Sequence, residues 1–228
     1  MKKYFVSLLF VACTFAITGF AQTFNLSAVN GWVGSGSNEA ALVIDWHDGN
    51  TPSSLVWGYR WDGTASVSDM VQAIDSADPR LLITDHPLFA NAVYSIFYDL
   101  TGNGGTPTMG LPFDMGGMEN GSAPFSGDHY KEGWVTGFWG LLNGNGNPYN
   151  GGGWEESNEG SSTDMLGNNG FYALSFARDT ISFQIAAAGV PVAAFLVPEP
   201  ACGRLLALCV GCGIAWRLGG RRLRRRSA

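Results

Sequence analysis

The chain has 228 residues, 32 of them glycine and 13% aromatic, with 19 acidic against 13 basic side chains and a formal charge of −6. Between Gln22 and Val197, eighteen acids face only Arg60, Arg80, Lys131 and Arg178, a balance of about −14 that repels phosphate backbones and excludes nucleic acid as a leading partner. Cys13, Cys202, Cys209 and Cys212 all lie outside that stretch, which excludes a disulfide framework within it and leaves burial to hold it together.

The chain opens with Lys2 and Lys3, an apolar run from Tyr4 to about Phe20, and small residues Gly19 and Ala21 at the minus-three and minus-one positions. This is the pattern of a secretory signal peptide cut between Ala21 and Gln22, with signal peptidase and the export machinery as partners. The next segments read as strands: "ALVIDW" over Ala41–Trp46 and "SLVWGYRW" over Ser54–Trp61, joined by the turn-forming "HDGNTPS". In the second, Leu55, Trp57, Tyr59 and Trp61 alternate with smaller or polar residues, so the four large side chains share one sheet face, expected to be core.

One helix is predicted at Val67–Ala77, where Val67, Met70, Val71, Ile74 and Ala77 repeat at helical spacing. Ser66 is placed to cap it with Asp69 at the third helical position, and Asp78-Pro79 ends it. Further strands are expected at Arg80–Thr84, Ala92–Leu100, Trp134–Trp139, Phe171–Ala177 and Thr180–Ala186, the last two joined through Arg178-Asp179 as a hairpin. Two glycine-rich loops, "TGNGGTPTMGLPFDMGGMENGSAP" and "NGNGNPYNGGGWEESNEGSS", exceed the usual loop length, a hint of function or mobility. The expected fold class is mainly β, with sandwich-like antiparallel sheets and one short helix at about 67–77, plus an N-terminal signal helix and a C-terminal hydrophobic helix. The expected domains are 1–21, 22–196 and 197–228.

Catalytic patterns are scarce. There is no G-x-S-x-G elbow, no strand-linked G-x-G-x-x-G, and His47, His86 and His129 have no zinc spacing. Cys209 and Cys212 have C-x-x-C spacing but sit in an apolar run without the polar setting a redox or zinc site needs. Calcium is the one ion with candidate ligands, because Asp45, Asp48 and Asn50 cluster, as do Glu155, Glu156 and Glu159, and hard oxygens suit it. Neither cluster fits the twelve-residue calcium loop, so solvated turn acids remain the competing reading; no other cofactor is expected. Trp134, Trp139 and Trp154 lie among glycines and read either as packing residues or as a flat platform for a sugar or another apolar ligand.

The tail carries the most specific pattern. Val197-Pro198-Glu199-Pro200 precedes an apolar segment and then Arg221, Arg222, Arg224, Arg225 and Arg226. This order resembles the PEP-CTERM sorting signal of exported bacterial proteins. The resemblance implies recognition by an exosortase, a membrane-embedded cysteine-dependent transpeptidase that cuts near the Pro-Glu-Pro. The basic cluster would hold the cytoplasmic side, and the prolines would keep the cut site extended. Arg204 and Arg217 leave only 12 uncharged residues, Leu205–Trp216, between them. A bilayer span takes about 20, so a transient or enzyme-held membrane state is expected rather than a lifelong anchor.

The stretch "WVGSGSNEAALVIDWHDGNTPSSLVWGYRWDGTASVSDMVQAIDSADPRL", with the later "EGWVTGFWG", resembles an uncharacterised module of bacterial surface proteins, a resemblance that carries over no catalytic residues. The resemblance extends to related surface modules that occur beside corrinoid-uptake proteins, which implies cofactor capture as one use. The leading expectation is a non-enzymatic cell-surface or extracellular-matrix component of the cell envelope. A glycan- or corrinoid-binding module and a secreted hydrolase are the rivals.

Overall fold

In the computed structural model the described residues are 23–87, 92–112, 115–134, 136–177 and 184–196. The signal segment, its Ala21–Gln22 junction, the Pro-Glu-Pro motif, the arginine cluster and both expected terminal helices lie outside them. Among the described residues no helix is long and apolar enough to cross a membrane.

The described residues are mainly β with one short α-helix. After a turn of 3-10 helix at Leu26–Ala28 come β1 (Trp32–Gly34), β2 (Asn38–Asp45), β3 (Ser54–Trp61), α1 (Val67–Ala77), β4 (Leu81–Asp85) and β5 (Val93–Tyr98). Then follow β6 (His129–Glu132), β7 (Phe138–Asn145), β8 (Gly153–Glu156), β9 (Gly170–Ala177) and β10 (Val192–Ala193). The larger sheet has the order β1-β3-β2-β9-β7-β8, with β10 also on β3, and the smaller has β4-β5-β6. The smaller sheet is antiparallel throughout, whereas the larger is mixed: β2 runs parallel to β9, and β1 and β10 both run parallel to β3. The antiparallel expectation is corrected on that point. β10 pairs with Leu55 and Val56 and β1 with Gly58–Arg60, so the two short strands lie end to end along the outer edge of β3 and cover it.

The helix forms over the expected residues. Ser66 Oγ accepts from the Asp69 backbone N–H at 3.2 Å, while the Asp69 carboxylate accepts from the Ser66 N–H at 2.7 Å, satisfying two donors that a helix start leaves open. At the other end the Asp78 N–H closes on Ile74 O before Pro79 stops the helix. Val67, Met70 and Ile74 are buried, and they face Leu55, Trp57 and Trp61 of β3, Leu42 and Ile44 of β2, and Ile96 and Tyr98 of β5. The large alternating residues of β3 therefore do face the core, Tyr59 being partly buried against it. Ala41, Val43, Val56, Phe171 and Ala173 point the other way into a second core, roofed by Phe24, Val29, Tyr149 and Ala188. Burial on both faces explains why "ALVI" over Ala41–Ile44 reads as a continuous apolar run.

Three expectations are corrected. Residues 178–183 lie outside the description, but β9 has β2 on one edge and β7 on the other, which leaves no free edge for the expected hairpin partner at Thr180–Ala186; Gln184–Ala186 carry no strand. The strand expected at Trp134–Trp139 starts only at Phe138. Ahead of it the N–H groups of Trp134 and Thr136 donate to the Glu119 carboxylate at 2.6 and 3.2 Å, so a side chain takes the place of a neighbouring strand. The loop expected around Trp154 contains β8, paired antiparallel to β7.

Candidate functional site

The densest polar constellation lies where β2 ends and residues 46–53 fold back toward β3. Its hydrogen bonds form two rows. In the first, buried Asp45 accepts from Gly189 N at 2.8 Å and from His47 N at 3.1 Å. The His47 ring lies between Asp45 (3.5 Å) and Ser175 Oγ (3.1 Å), and Ser175 Oγ donates to Ala186 O at 2.7 Å. His47 has φ 46°, a left-handed conformation costly to a non-glycine residue, and the Asp45 carboxylate holds it there through its N–H.

In the second row, Asp48 accepts from the Asn50 N–H at 3.0 Å and meets His129 Nδ1 at 2.9 Å, while Asn50 Nδ2 donates to Asp128 O at 2.9 Å. His129 is fully buried and stacks on Trp46 with ring centroids 4.4 Å apart and 14° between the planes. Trp46 Nε1 in turn donates to Ile96 O. Burial raises the cost of charging Asp48, but the bonds from His129 and the Asn50 backbone, with the positive charges of His129 and Lys131, outweigh it and hold the carboxyl below its ordinary range.

The order Asp45, His47, Ser175 is that of an acid, a base and a hydroxyl nucleophile. Ser175 lacks what that chemistry needs: its single hydroxyl proton goes to the Ala186 carbonyl, and its exposure is 0%. The row ties β2, β9 and the segment before β10 together, and a cavity of about 420 Å³ beside it reaches His47, Gly49 and Phe176. The first calcium expectation divides between the rows, with Asp45 turned to His47 and Gly189, and Asp48 and Asn50 turned to His129 and Asp128. The second lies along β8 and the following loop, where Glu155 and Glu159 line an open acidic cleft of about 440 Å³ with Asn143, Ser157 and Asp164. Asp164 accepts there from Asn143 Nδ2 and Ser157 Oγ, both at 2.7 Å. Among the described residues no three Asp, Glu, His or Cys side chains are grouped to hold a metal ion.

The structure does not bring the three tryptophans together. Trp139 packs into the first core, edge-on to Phe176 at 5.3 Å, with Nε1 donating to Lys131 O. Trp154 sits opposite Gly144, two residues along from Leu142 of the second core, so it lies on the other face of the same sheet. Its Nε1 donates to Ala188 O and Tyr149 packs edge-on at 5.7 Å. Trp134, 42% exposed, lies instead against His86 beside the smaller sheet. Beside Trp154, with Glu156 and Gln184, is a cavity of about 250 Å³. Sequence reasoning missed this grouping because β8 reads as loop, and only its register on β7 reveals that Trp154 and Glu156 share a face.

No known protein family matches the chain, and neither the curated proteins nor the solved structures contain a match.

Proposed function

We propose that this chain is an exported, non-enzymatic component of the cell surface or extracellular matrix, sorted through residues 197–228 and cut near the Pro-Glu-Pro by an exosortase-type membrane transpeptidase. One observation carries the reading. Leu196 packs on the first core, and Val197 of the sorting motif is the very next residue, so a cut near Pro200 leaves every described residue of the two sheets and their cores in place. The cysteine-free, sandwich-like body, stabilised by burial on both faces of its larger sheet, suits an oxidising exterior without depending on it. Intact-mass measurement of the protein from its native host tests the proposal: a C-terminus near Pro200 is expected, and a mature chain still ending at Ala228 would overturn it.

A second reading, a surface module for a glycan, is favoured by the cavity at Trp154. An aromatic face flanked by the carboxylate of Glu156 and the amide of Gln184 offers stacking and hydrogen bonds to a sugar ring, while about 250 Å³ is small for a corrinoid. Titrating the detergent-solubilised full chain with a glycan panel and with cobalamin, followed by tryptophan fluorescence, should give a saturable glycan response that Trp154→Ala removes. A flat response to every glycan would sink this reading and leave the sorting proposal intact.

A further inference from the structure

We propose that Asp99 and Asp128 form a binding site for a hard divalent cation of the calcium type at the end of the smaller sheet. Tyr98 of β5 and His129 of β6 form the last pair of their antiparallel ladder, so Asp99 and Asp128, the residues just beyond them, lie at the same end of the sheet, where two like charges repel. Both are buried, Asp99 at 7% exposure and Asp128 at 3%.

Both carboxylates converge on Thr101. Asp128 Oδ1 accepts the Thr101 N–H at 2.9 Å, and Asp99 Oδ1 accepts the Thr101 hydroxyl at 3.3 Å. Asp99 is otherwise satisfied by the N–H groups of Gly102 and Gly104 at 2.7 and 2.9 Å. Asp128 is not: its Oδ2 is buried with no hydrogen-bond partner. Among the described residues no lysine or arginine pairs with either acid; Arg80 is engaged by Asp78 at 3.1 Å and lies over the Tyr98 ring. Asp48 adds a further negative charge close by, through Asn50, which donates to the Asp128 carbonyl.

Two buried carboxylates that share Thr101 as a partner, one with a bare oxygen, need a positive charge, because an unpaired buried charge is among the costliest features a fold can carry. A calcium-type ion takes six to eight oxygen ligands and accepts carboxylates, carbonyls and water. Asp99 and Asp128 supply the charge, and water completes the shell. With two carboxylates instead of the usual three or four, the site falls in the weak affinity class of about 10⁻⁴–10⁻³ M.

The experiment uses the detergent-solubilised full chain, first stripped with chelator. Calcium at ten times its dissociation constant should raise Tm by about 3–6 °C, and terbium should luminesce by transfer from Tyr98. Asp128→Asn keeps the shape and removes the charge, so it should abolish the calcium shift and cut the terbium signal at least tenfold, yet melt no lower than the stripped wild type. No calcium shift and no terbium signal would overturn the proposal, as would an equal calcium shift in Asp128→Asn. A proton shared between the two acids would also overturn it; the wild type would then ignore calcium and gain stability as pH falls, and Asp128→Asn would not.

Discussion

Trp57→Ala is expected to lower the unfolding free energy by about 4–5 kcal/mol, at the upper end of the range for deleting a buried tryptophan. Trp57 is fully buried on the central face of β3, where β2, α1 and β5 meet, and its ring lies edge-on to Tyr98 at 5.6 Å. The size of the cavity is one part of the cost. The other is that Trp57 Nε1 donates to Asp78 Oδ2 at 3.1 Å, and Asp78 is itself fully buried. Asp78 also accepts from the Arg80 N–H and guanidinium, while Arg80 reaches onward to the Phe195 carbonyl, so one indole connects β3, the end of α1, the start of β4 and the segment after β10. Trp57→Phe separates the two contributions: it retains most of the apolar volume, loses the hydrogen bond to a charged acceptor, and should cost about 1.5–3 kcal/mol. Urea unfolding followed by circular dichroism measures both; a loss below about 1 kcal/mol for the alanine variant would mean that Trp57 is not a keystone of this core.

The elements legible in the sequence are those whose signals are local. The alternation at Leu55, Trp57, Tyr59 and Trp61 needs only the two-residue period of a strand, and α1 only its 3.6-residue period and the Ser66–Asp69 cap, so both stand where they were expected. Sheet order is not local. The parallel pairing of Ala40–Asp45 with Gly170–Ser175 joins segments about 130 residues apart, and no periodicity in either strand names the other as its partner. β6 and β8 were hidden for a different reason: "HYKE" and "GWEE" are short and polar, and they are strands because β5 and β7 offer edges to pair with.

The candidate sites follow the same division. Asp45, Asp48 and Asn50 are neighbours in sequence, yet Asp45 at the end of β2 accepts from His47 and Gly189, while beyond the left-handed turn at His47 Asp48 meets His129 of β6. Asp99 and Asp128 are far apart in sequence and meet only through the register of a strand that sequence reasoning did not see. Parity separates two of the three tryptophans, since Trp139 and Trp154 fall on opposite faces once β8 is aligned with β7.

Glu132→Ala should release the long glycine-rich loop after β5 while leaving the larger sheet in place. Glu132 is 5% exposed at the end of β6, and its carboxylate accepts from Gly110 N at 2.8 Å, Gly121 N and the Tyr130 hydroxyl. Gly110 and Gly121 are on opposite arms of the loop, whose base is closed by the reciprocal backbone bonds of Thr108 and Ser122. One side chain thus takes the place of a ladder for a segment whose described residues form no strand. Removing it strands three donors, and with about 1–3 kcal/mol for each buried group left unsatisfied, partly relieved as the loop opens to water, a local loss of about 3–5 kcal/mol is expected. The effect should appear in hydrogen exchange as lost protection at Gly110 and Gly121, with amides of β2 and β9 slowed as in the wild type. The glycines supply an independent check, because a Cβ on Gly110 or on Gly121 would stand 2.5 Å from a Glu132 carboxylate oxygen, so Gly110→Ala or Gly121→Ala should open the same loop with Glu132 intact. Unchanged protection at both amides in Glu132→Ala would show that the loop is held by its own backbone bonds and that the carboxylate is a bystander.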